Sequence, residues 1–276
     1  MSGVRIVTST LLAVAVATAN ATAAAAEFDA TLHAELEQIA HQRIFFGHQS
    51  VGENLLDGIR QLSQMAAVPV HIVETPKAGN VPPATFGHAF VEKNGEPLLK
   101  LQSFEQAFSQ HPAGIDIALL KFCFVDINAD TDVKALFSRY RASINRLRAE
   151  NPGTTFVHVT VPLMEVKGGM KASIRRLLGR APDGAIENVR REEYNAILRQ
   201  TYQGREPVFD LARVESTTPD GGVVTVEWNG RVTPALVPAY TDDGGHLNSV
   251  GRLRAARELV SVLAAARSRT PGAIPH

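Results

Sequence analysis

The sequence predicts a three-layer α/β/α sandwich with a largely parallel five-stranded sheet and a small β-hairpin late in the chain. Three observations lead to this prediction. Short apolar runs alternate with segments of helical period along most of the chain. The run 115–125 is almost continuously apolar, as in a strand covered on both faces. Segment 221–237 alternates around an Asn229-Gly230 turn, which is typical of an antiparallel hairpin.

The remaining elements follow from spacing and from the residues that end each run. Apolar residues three and four apart predict helices over 29–41, 51–62, 132–150, 186–202 and 249–267. Short apolar runs predict strands at 43–46, 68–73, 115–125, 155–161 and 207–211. Segment 75–87 is rich in Pro and Gly and is predicted to be a loop, and the Asn94-Gly95 pair predicts a small hairpin at 93–96.

Residues 1–26 have the pattern of a secretory signal peptide. One early charge, Arg5, precedes an apolar, alanine-rich run from 11 to 26 that ends in small residues. A membrane anchor is the alternative, but the strongly apolar part is shorter than the roughly 20 residues that span a bilayer. We therefore expect a secreted or periplasmic protein, without stable membrane insertion after cleavage, whose residues 27–276 form a single domain.

Charge and cysteine content exclude several classes of function. Lys plus Arg and Asp plus Glu both number 28, so no net positive charge favours nucleic acid. A small-molecule or glycan ester is a more natural partner. Cys123 is the only cysteine, which excludes an internal disulfide and any multi-cysteine metal site.

Two distant segments carry the residue types of a nucleophilic hydrolase. Ser50 stands where the first predicted strand gives way to a helix, and Asp243 precedes His246 by three positions on a glycine-rich loop before the last helix. A serine hydroxyl needs a base to take its proton, and the base needs a group that fixes its tautomer. Taken singly, Ser50 could instead be a helix N-cap, and the loop a plain surface turn.

Together these segments resemble the SGNH/GDSL hydrolase superfamily. The resemblance rests on Phe46-Gly47-His48-Gln49-Ser50, on the segment 243–251 and on the segment 208–212 before the final loop. It implies a flavodoxin-like fold of the SGNH hydrolase type, with Ser50 as nucleophile, Asp243 as orienting acid and His246 as base. The serine block departs from Gly-Asp-Ser-Leu, because His48 and Gln49 stand where the family has glycine and aspartate.

The resemblance also implies an oxyanion hole made with a glycine N–H and an asparagine side chain. Gly79 with Asn80, in the loop after the second strand, is the best candidate for the glycine block, and Gly87-His88 is the next. After the third strand the family has Gly-x-Asn-Asp, whereas this chain keeps Asp126 and lacks the asparagine beside it.

His48, Lys121 and Asn80 can each donate a hydrogen bond in place of the missing asparagine. Alternatively, Lys121 pairs with Asp126 or Glu74 at the sheet edge, because lysine is rarely buried without a partner. A cluster of His48, His88, Asp242 and His246 is conceivable as a metal site, but no close histidine spacing supports it. We therefore expect neither a metal nor another cofactor.

The sequence thus predicts an exported serine esterase that hydrolyses carboxylic esters, with O-acetyl groups on glycans as one substrate class. Two alternatives remain open at this point. One is a non-catalytic carbohydrate-binding or envelope-assembly protein on the same fold. The other is an O-acyltransferase, which would use the same three residues with an alcohol in place of water.

Overall fold

The structure is a computed structural model that describes residues 29–108, 114–168, 175 and 177–267. The predicted signal peptide, 1–26, lies outside the described residues. A parallel sheet with the strand order β2-β3-β1-β4-β5-β6 forms the centre of the fold. Its strands are β1 (Ile44–His48), β2 (Ile72–Glu74), β3 (Phe86–Phe90), β4 (Ile117–Leu120), β5 (Thr155–Val159) and β6 (Val208–Phe209).

Helices cover both faces of this sheet, and a hairpin stands apart from it. The helices are α1 (29–40), α2 (Val51–Met65), α3 (Pro97–Ala107), α4 (Val133–Glu150), α5 (Ala185–Tyr202), α6 (Leu211–Ser216) and α7 (Ser249–Arg267). The strands β7 (Thr225–Trp228) and β8 (Arg231–Pro234) form the antiparallel hairpin that the sequence predicts. No described helix combines the length and the apolar character needed to cross a bilayer.

Two apolar clusters hold the layers together, one on each face of the sheet. Side chains of α1, α2, α6 and α7 pack with Phe46 and its neighbours on one face. Side chains of α3, α4 and α5 pack with Phe45 on the other face. Because neighbouring residues of a strand point to opposite faces, Phe45 and Phe46 belong to different clusters. The α/β/α prediction is therefore confirmed.

The sheet has six strands in the structure, so the prediction of five is wrong. The additional strand, β3, begins at the end of the segment predicted as a loop, and it pairs with β1 on one side and β2 on the other. Its sequence, Phe-Gly-His-Ala-Phe, lacks the uninterrupted apolar run of a central strand. The hairpin predicted at 93–96 is also wrong, because the Asn94-Gly95 turn leads directly into α3.

The predicted strand 115–125 is shorter in the structure. Regular pairing ends at Leu120, and a single 3₁₀ turn follows at Phe124–Asp126. The Asp126 carboxylate closes this turn by accepting the backbone N–H of Cys123 at 2.6 Å. The strand predicted at 68–73 is likewise reduced to Ile72–Glu74.

The strand order creates a topological switch point beside β1. From β1 the chain moves to β2 and β3 on one side, and then returns across the sheet to β4 on the other side. Open α/β sheets bind ligands in the crevice at the carboxyl ends of the strands that flank such a point. Ser50 follows β1 and Lys121 follows β4, so both lie at this crevice.

Candidate active site

The loop before α7 holds an aspartate and a histidine in direct contact. Asp243 Oδ2 lies 2.6 Å from His246 Nδ1, while Oδ1 accepts the backbone N–H groups of Gly245 and His246 at 2.9 and 2.8 Å. Partial burial raises the pKa of Asp243, but these hydrogen bonds lower it more, so it lies well below its usual range. The carboxylate is therefore ionised and fixes the imidazole with Nε2 pointing away from it.

Ser50 stands between β1 and α2, as the sequence predicts, but its hydroxyl does not cap the helix. Although Ser50 is the N-cap residue, its side chain makes no capping hydrogen bond. Within the described residues, the only hydrogen-bonding partner of Ser50 Oγ is the sulfur atom of Cys123, at 3.9 Å. The Ser50 N–H also has no acceptor there. Both groups are thus free to engage a ligand at the positive end of α2.

Two contacts hold the histidine loop against the segments that flank Ser50. Asn54 lies one helical turn after Ser50, and its Oδ1 accepts the backbone N–H of Leu247 at 3.1 Å. The Phe124 ring, next to Cys123 in sequence, packs edge-on against the imidazole of His246 with centroids 5.6 Å apart. Among the described residues, Ser50 and His246 make no direct hydrogen bond with each other.

A glycine permits the close packing at Phe124. A Cβ atom added to Gly245 would lie 2.8 Å from the Phe124 ring, closer than real Cβ contacts. The His246 imidazole can therefore pack against the Phe124 ring only because Gly245, the residue before it, has no side chain.

Lys121 is completely buried and points along the end of β4. Its Nζ lies 3.2 Å from the carbonyl oxygen of Phe122 and 3.4 Å from Cys123 Sγ. It pairs with neither Asp126 nor Glu74, the partners considered from the sequence. Cys123 Sγ thus contacts both the Lys121 ammonium and the Ser50 hydroxyl, which the sequence did not indicate.

Asp126 is part of the scaffold around the site. Its carboxylate forms a buried ion pair with Lys100 on α3, with both oxygens within 2.8 Å of Nζ. It also accepts the backbone N–H groups of Gly95 and Cys123. Asp126 therefore ties the loop after β3 to the turn after β4. Lys100 was missed from the sequence because α3 itself was not predicted.

Gly79 and Asn80 are not brought to Ser50. They lie in a 3₁₀ turn between β2 and β3, and the Gly79 carbonyl accepts a hydrogen bond from Arg43, the residue before β1. The described residues give no contact between this turn and Ser50. The expectation that Gly79 and Asn80 form the oxyanion hole is therefore corrected. The reason is strand β3, which was not predicted from the sequence. Because β3 pairs directly with β1, the loop beside the end of β1 is 91–96, which follows β3, and not 75–80, which follows β2.

His48 and His88 form a buried pair at the end of the same crevice. His48 Nε2 lies 3.0 Å from His88 Nδ1, and His48 Nδ1 lies 3.4 Å from the Gln49 carbonyl oxygen. Burial, with smaller effects from Lys121 and His88, lowers the pKa of His48 to about 3. Burial also lowers the pKa of His88. Both ring nitrogens of His48 are engaged, so it is not a free oxyanion donor, and Asp242 and His246 are not part of this pair.

Glu215 and Arg191 are two further buried titratable side chains near the site. Glu215 Oε2 accepts the Leu163 N–H at 2.6 Å, and Oε1 has no partner among the described residues. Burial raises the pKa of Glu215 to about 8, against smaller lowering effects of the Leu163 N–H, Lys121 and Arg191. Arg191 donates to the Phe124 carbonyl at 2.7 Å and supports the turn that packs on His246. No sequence pattern marked either residue.

A cavity of about 430 Å³ opens beside the aspartate of the histidine loop. Its lining includes Glu165, Lys167, Arg175 and Asp183 together with Asp243 and Gly244. Polar and charged side chains therefore surround the space next to the Asp243–His246 pair.

No protein-family model and no curated protein matches the chain. Among solved structures, a carbohydrate esterase of family 3 from Talaromyces cellulolyticus is 14% identical with a TM-score of 0.46, over 82% of this chain and 96% of that chain. An acetyl esterase variant with acetate ion is 15% identical with a TM-score of 0.45, over 82% and 96%. The periplasmic domain of a lipopolysaccharide acetyltransferase from Salmonella ser. Paratyphi A is 11% identical with a TM-score of 0.41, over 80% and 84%. By their names, two of these proteins are esterases and the third is an acetyltransferase.

Proposed function

We propose that the chain is an exported ester hydrolase in which Ser50 is the nucleophile, His246 the general base and Asp243 the group that orients it. The observation that carries the proposal is the placement of the Asp243–His246 pair. Asn54 holds the loop of this pair one helical turn from Ser50, and Phe124 holds its imidazole beside the residue that contacts the Ser50 hydroxyl.

The chemistry follows from this arrangement. His246 Nε2 takes the proton of Ser50 Oγ as the oxygen attacks the ester carbonyl, and Asp243 stabilises the imidazolium through Nδ1. The tetrahedral intermediate then collapses, the C–O bond to the alcohol breaks, and His246 returns the proton to the leaving alkoxide. Water attacks the acyl-Ser50 ester by the same proton transfers in reverse and releases the carboxylic acid.

The developing negative charge has two sources of stabilisation on this chain. The Ser50 N–H is unoccupied and belongs to the N-terminus of α2, where the helix dipole favours an anion. Lys121 supplies a buried positive charge, because its Nζ lies 3.4 Å from Cys123 Sγ, the atom that the Ser50 hydroxyl also contacts. We assign the oxyanion hole to these groups in place of Gly79 and Asn80.

We further propose a hydroxyl-rich alcohol, such as a sugar unit of a glycan, as the leaving group. The cavity beside Asp243 is lined by Glu165, Lys167, Arg175 and Asp183, whose side chains can hydrogen bond with hydroxyl groups. A small acyl group such as acetyl would then occupy the space near Ser50.

Covalent labelling combined with turnover tests the proposal. We expect a fluorophosphonate probe to label Ser50, and a short-chain aryl ester to be hydrolysed by the wild-type protein. Ser50→Ala and His246→Ala should each abolish turnover by similar factors, because the members of such a triad act as a unit. The matched control is Ser138→Ala, since Ser138 is exposed on α4.

Other outcomes separate the alternatives. A folded wild-type protein that neither takes the label nor turns over any ester would overturn the proposal in favour of a binding protein. Wild-type activity in Ser50→Ala would remove Ser50 from the nucleophile role. Transfer of the acyl group to an added sugar in preference to water would identify an acyltransferase that uses the same residues.

Export is tested separately. Expression of the full chain in a bacterial host and mass determination of the mature N-terminus should show cleavage after the alanine-rich run that ends at Ala26. An uncleaved N-terminus in the cytoplasmic fraction would contradict this part of the proposal and leave the catalytic part untouched.

A further inference from the structure

We propose that His48, Glu53 and His88 bind a divalent metal ion such as zinc at the end of β1. The three residues come from three elements: the last residue of β1, the first turn of α2 and the middle of β3. One nitrogen of each histidine and one carboxylate oxygen of Glu53 lie within 4.8 Å of one another. Two histidines and one glutamate are a ligand set that zinc takes in proteins.

The separation between the two histidine nitrogens suits a shared metal ion. His48 Nε2 and His88 Nδ1 are 3.0 Å apart. Two ligands on a tetrahedral zinc, each about 2.0–2.1 Å from the metal, are separated by roughly 3.3 Å. A small outward movement of either ring would therefore convert the direct contact into two metal bonds.

The environment of His48 prepares it as a ligand. Its Nδ1 faces the Gln49 carbonyl oxygen, which favours a proton on Nδ1 and leaves the lone pair on Nε2 directed at His88. The rings of Phe46 and Phe90 pack against the imidazole and hold its orientation.

Glu53 has one oxygen engaged and one without a protein partner. Arg60 donates to Oε1 at 2.8 Å, whereas Oε2 is buried and has no hydrogen-bond partner within the part of the chain that the structure describes. Carboxylates that bind metals are commonly held by such an outer hydrogen bond. An unpartnered buried carboxylate oxygen close to two histidine nitrogens is the feature that a cation would satisfy.

Close packing between α2 and β1 brings the three residues together. A Cβ atom on Gly52 would lie 2.4 Å from His48, so the first turn of α2 can approach the imidazole only with glycine at this position. The positive charge of the buried Lys121 ammonium also interacts electrostatically with the His48 ring. Because it repels a second cation, we expect weaker binding than at a zinc site built from cysteine thiolates.

Such an ion would link β1, β3 and α2 through its three ligands, one of which, His48, lies two residues before Ser50. Its effect would be to fix the turn that carries Ser50, so we regard it as a structural ion. Metal binding does not depend on the proposed hydrolase activity and can be tested without an activity assay.

The test uses the full chain, purified without a histidine tag and stripped with a chelator. After equilibration with Zn²⁺ and gel filtration, we expect about one zinc ion per chain by elemental analysis and a higher unfolding temperature than in the stripped protein. Bound Co²⁺ should give the intense visible absorption of a tetrahedral site. His88→Gln and Glu53→Gln should each weaken zinc binding at least about tenfold, the loss that even an outer-shell change can cause.

Matched controls are His71→Gln and Glu74→Gln, which alter exposed residues on and beside β2. These controls should retain wild-type zinc content and the zinc-dependent rise in unfolding temperature. If His88→Gln does not fold, Glu53→Gln and the Co²⁺ spectrum of the wild-type protein still decide the question. Absence of zinc from the wild-type protein, or equal zinc retention in the ligand variants and the controls, would overturn the proposal.

Discussion

Asp243 and His246 form a complete local unit, because one carboxylate binds both the ring and the backbone of the same residue. Oδ2 contacts Nδ1 at 2.6 Å and Oδ1 accepts the His246 N–H at 2.8 Å. The imidazole is therefore oriented before any contact with Ser50 is considered. We therefore expect substitution of Asp243 to lower the catalytic rate through the orientation of the His246 ring.

Asp243→Asn should reduce kcat for ester hydrolysis by about a thousandfold or more. The amide oxygen can keep the backbone hydrogen bonds, but its NH₂ group cannot accept from Nδ1, so the ring loses the required tautomer. Steady-state kinetics on an aryl ester measures this loss. Asp242→Asn is the matched control and should retain activity, because the Asp242 side chain is exposed and accepts a hydrogen bond from Asn248 Nδ2, away from the His246 ring. Equal losses in both variants would indicate a general effect on the loop.

Asn54→Ala should lower kcat by between about tenfold and a hundredfold, because it frees the histidine loop from α2. Asn54→Asp keeps the oxygen that accepts the Leu247 N–H and should recover most of the rate. Kinetics on the same ester, with circular dichroism to confirm folding, provides the measurement. If the alanine variant matches the wild type, the loop is held by other contacts.

Lys100→Met should reduce the free energy of unfolding by about 3–5 kcal/mol, because it leaves the Asp126 carboxylate buried without its partner. Urea denaturation monitored by fluorescence measures the change. The control is Arg146→Met, which removes an ion pair whose arginine side chain is 55% exposed and should cost less than about 1 kcal/mol. Similar costs for both variants would show that the buried pair contributes no more than the surface pair.

Glu215→Gln should reduce the loss of stability as pH rises from about 5 to about 8. The folded pKa of about 8 lies above the ordinary value of 4.5, so in this interval the folded protein holds a proton that the unfolded chain has released. Raising the pH across this interval therefore favours unfolding. The stability that the bound proton contributes is lost as the pH passes through about 8. Urea midpoints across this range test the prediction. Glu227→Gln, at an exposed site, should keep the wild-type slope.

Part of the site could be predicted because it depends on neighbours in sequence. The contact between Asp243 and His246 spans three residues, and the glycines between them allow the turn. The position of Ser50 follows from a short apolar strand that ends where a helical period begins. Lys100 could not be paired with Asp126, because the helix that carries Lys100 has no clear periodic signal.

The sequence by itself determined the layered α/β architecture and the local geometry of the histidine loop, since hydrophobic period and short-range hydrogen bonds are encoded in adjacent residues. Only the tertiary structure decided which loops meet at the end of β1. That outcome depends on the insertion of β3 beside β1, which sets the register of Phe46 with His88 and brings the loop after β3 to the site. Strand order is fixed by packing of the whole chain, and for that reason the His48–His88 pair and the displacement of Gly79 were not readable from their own segments.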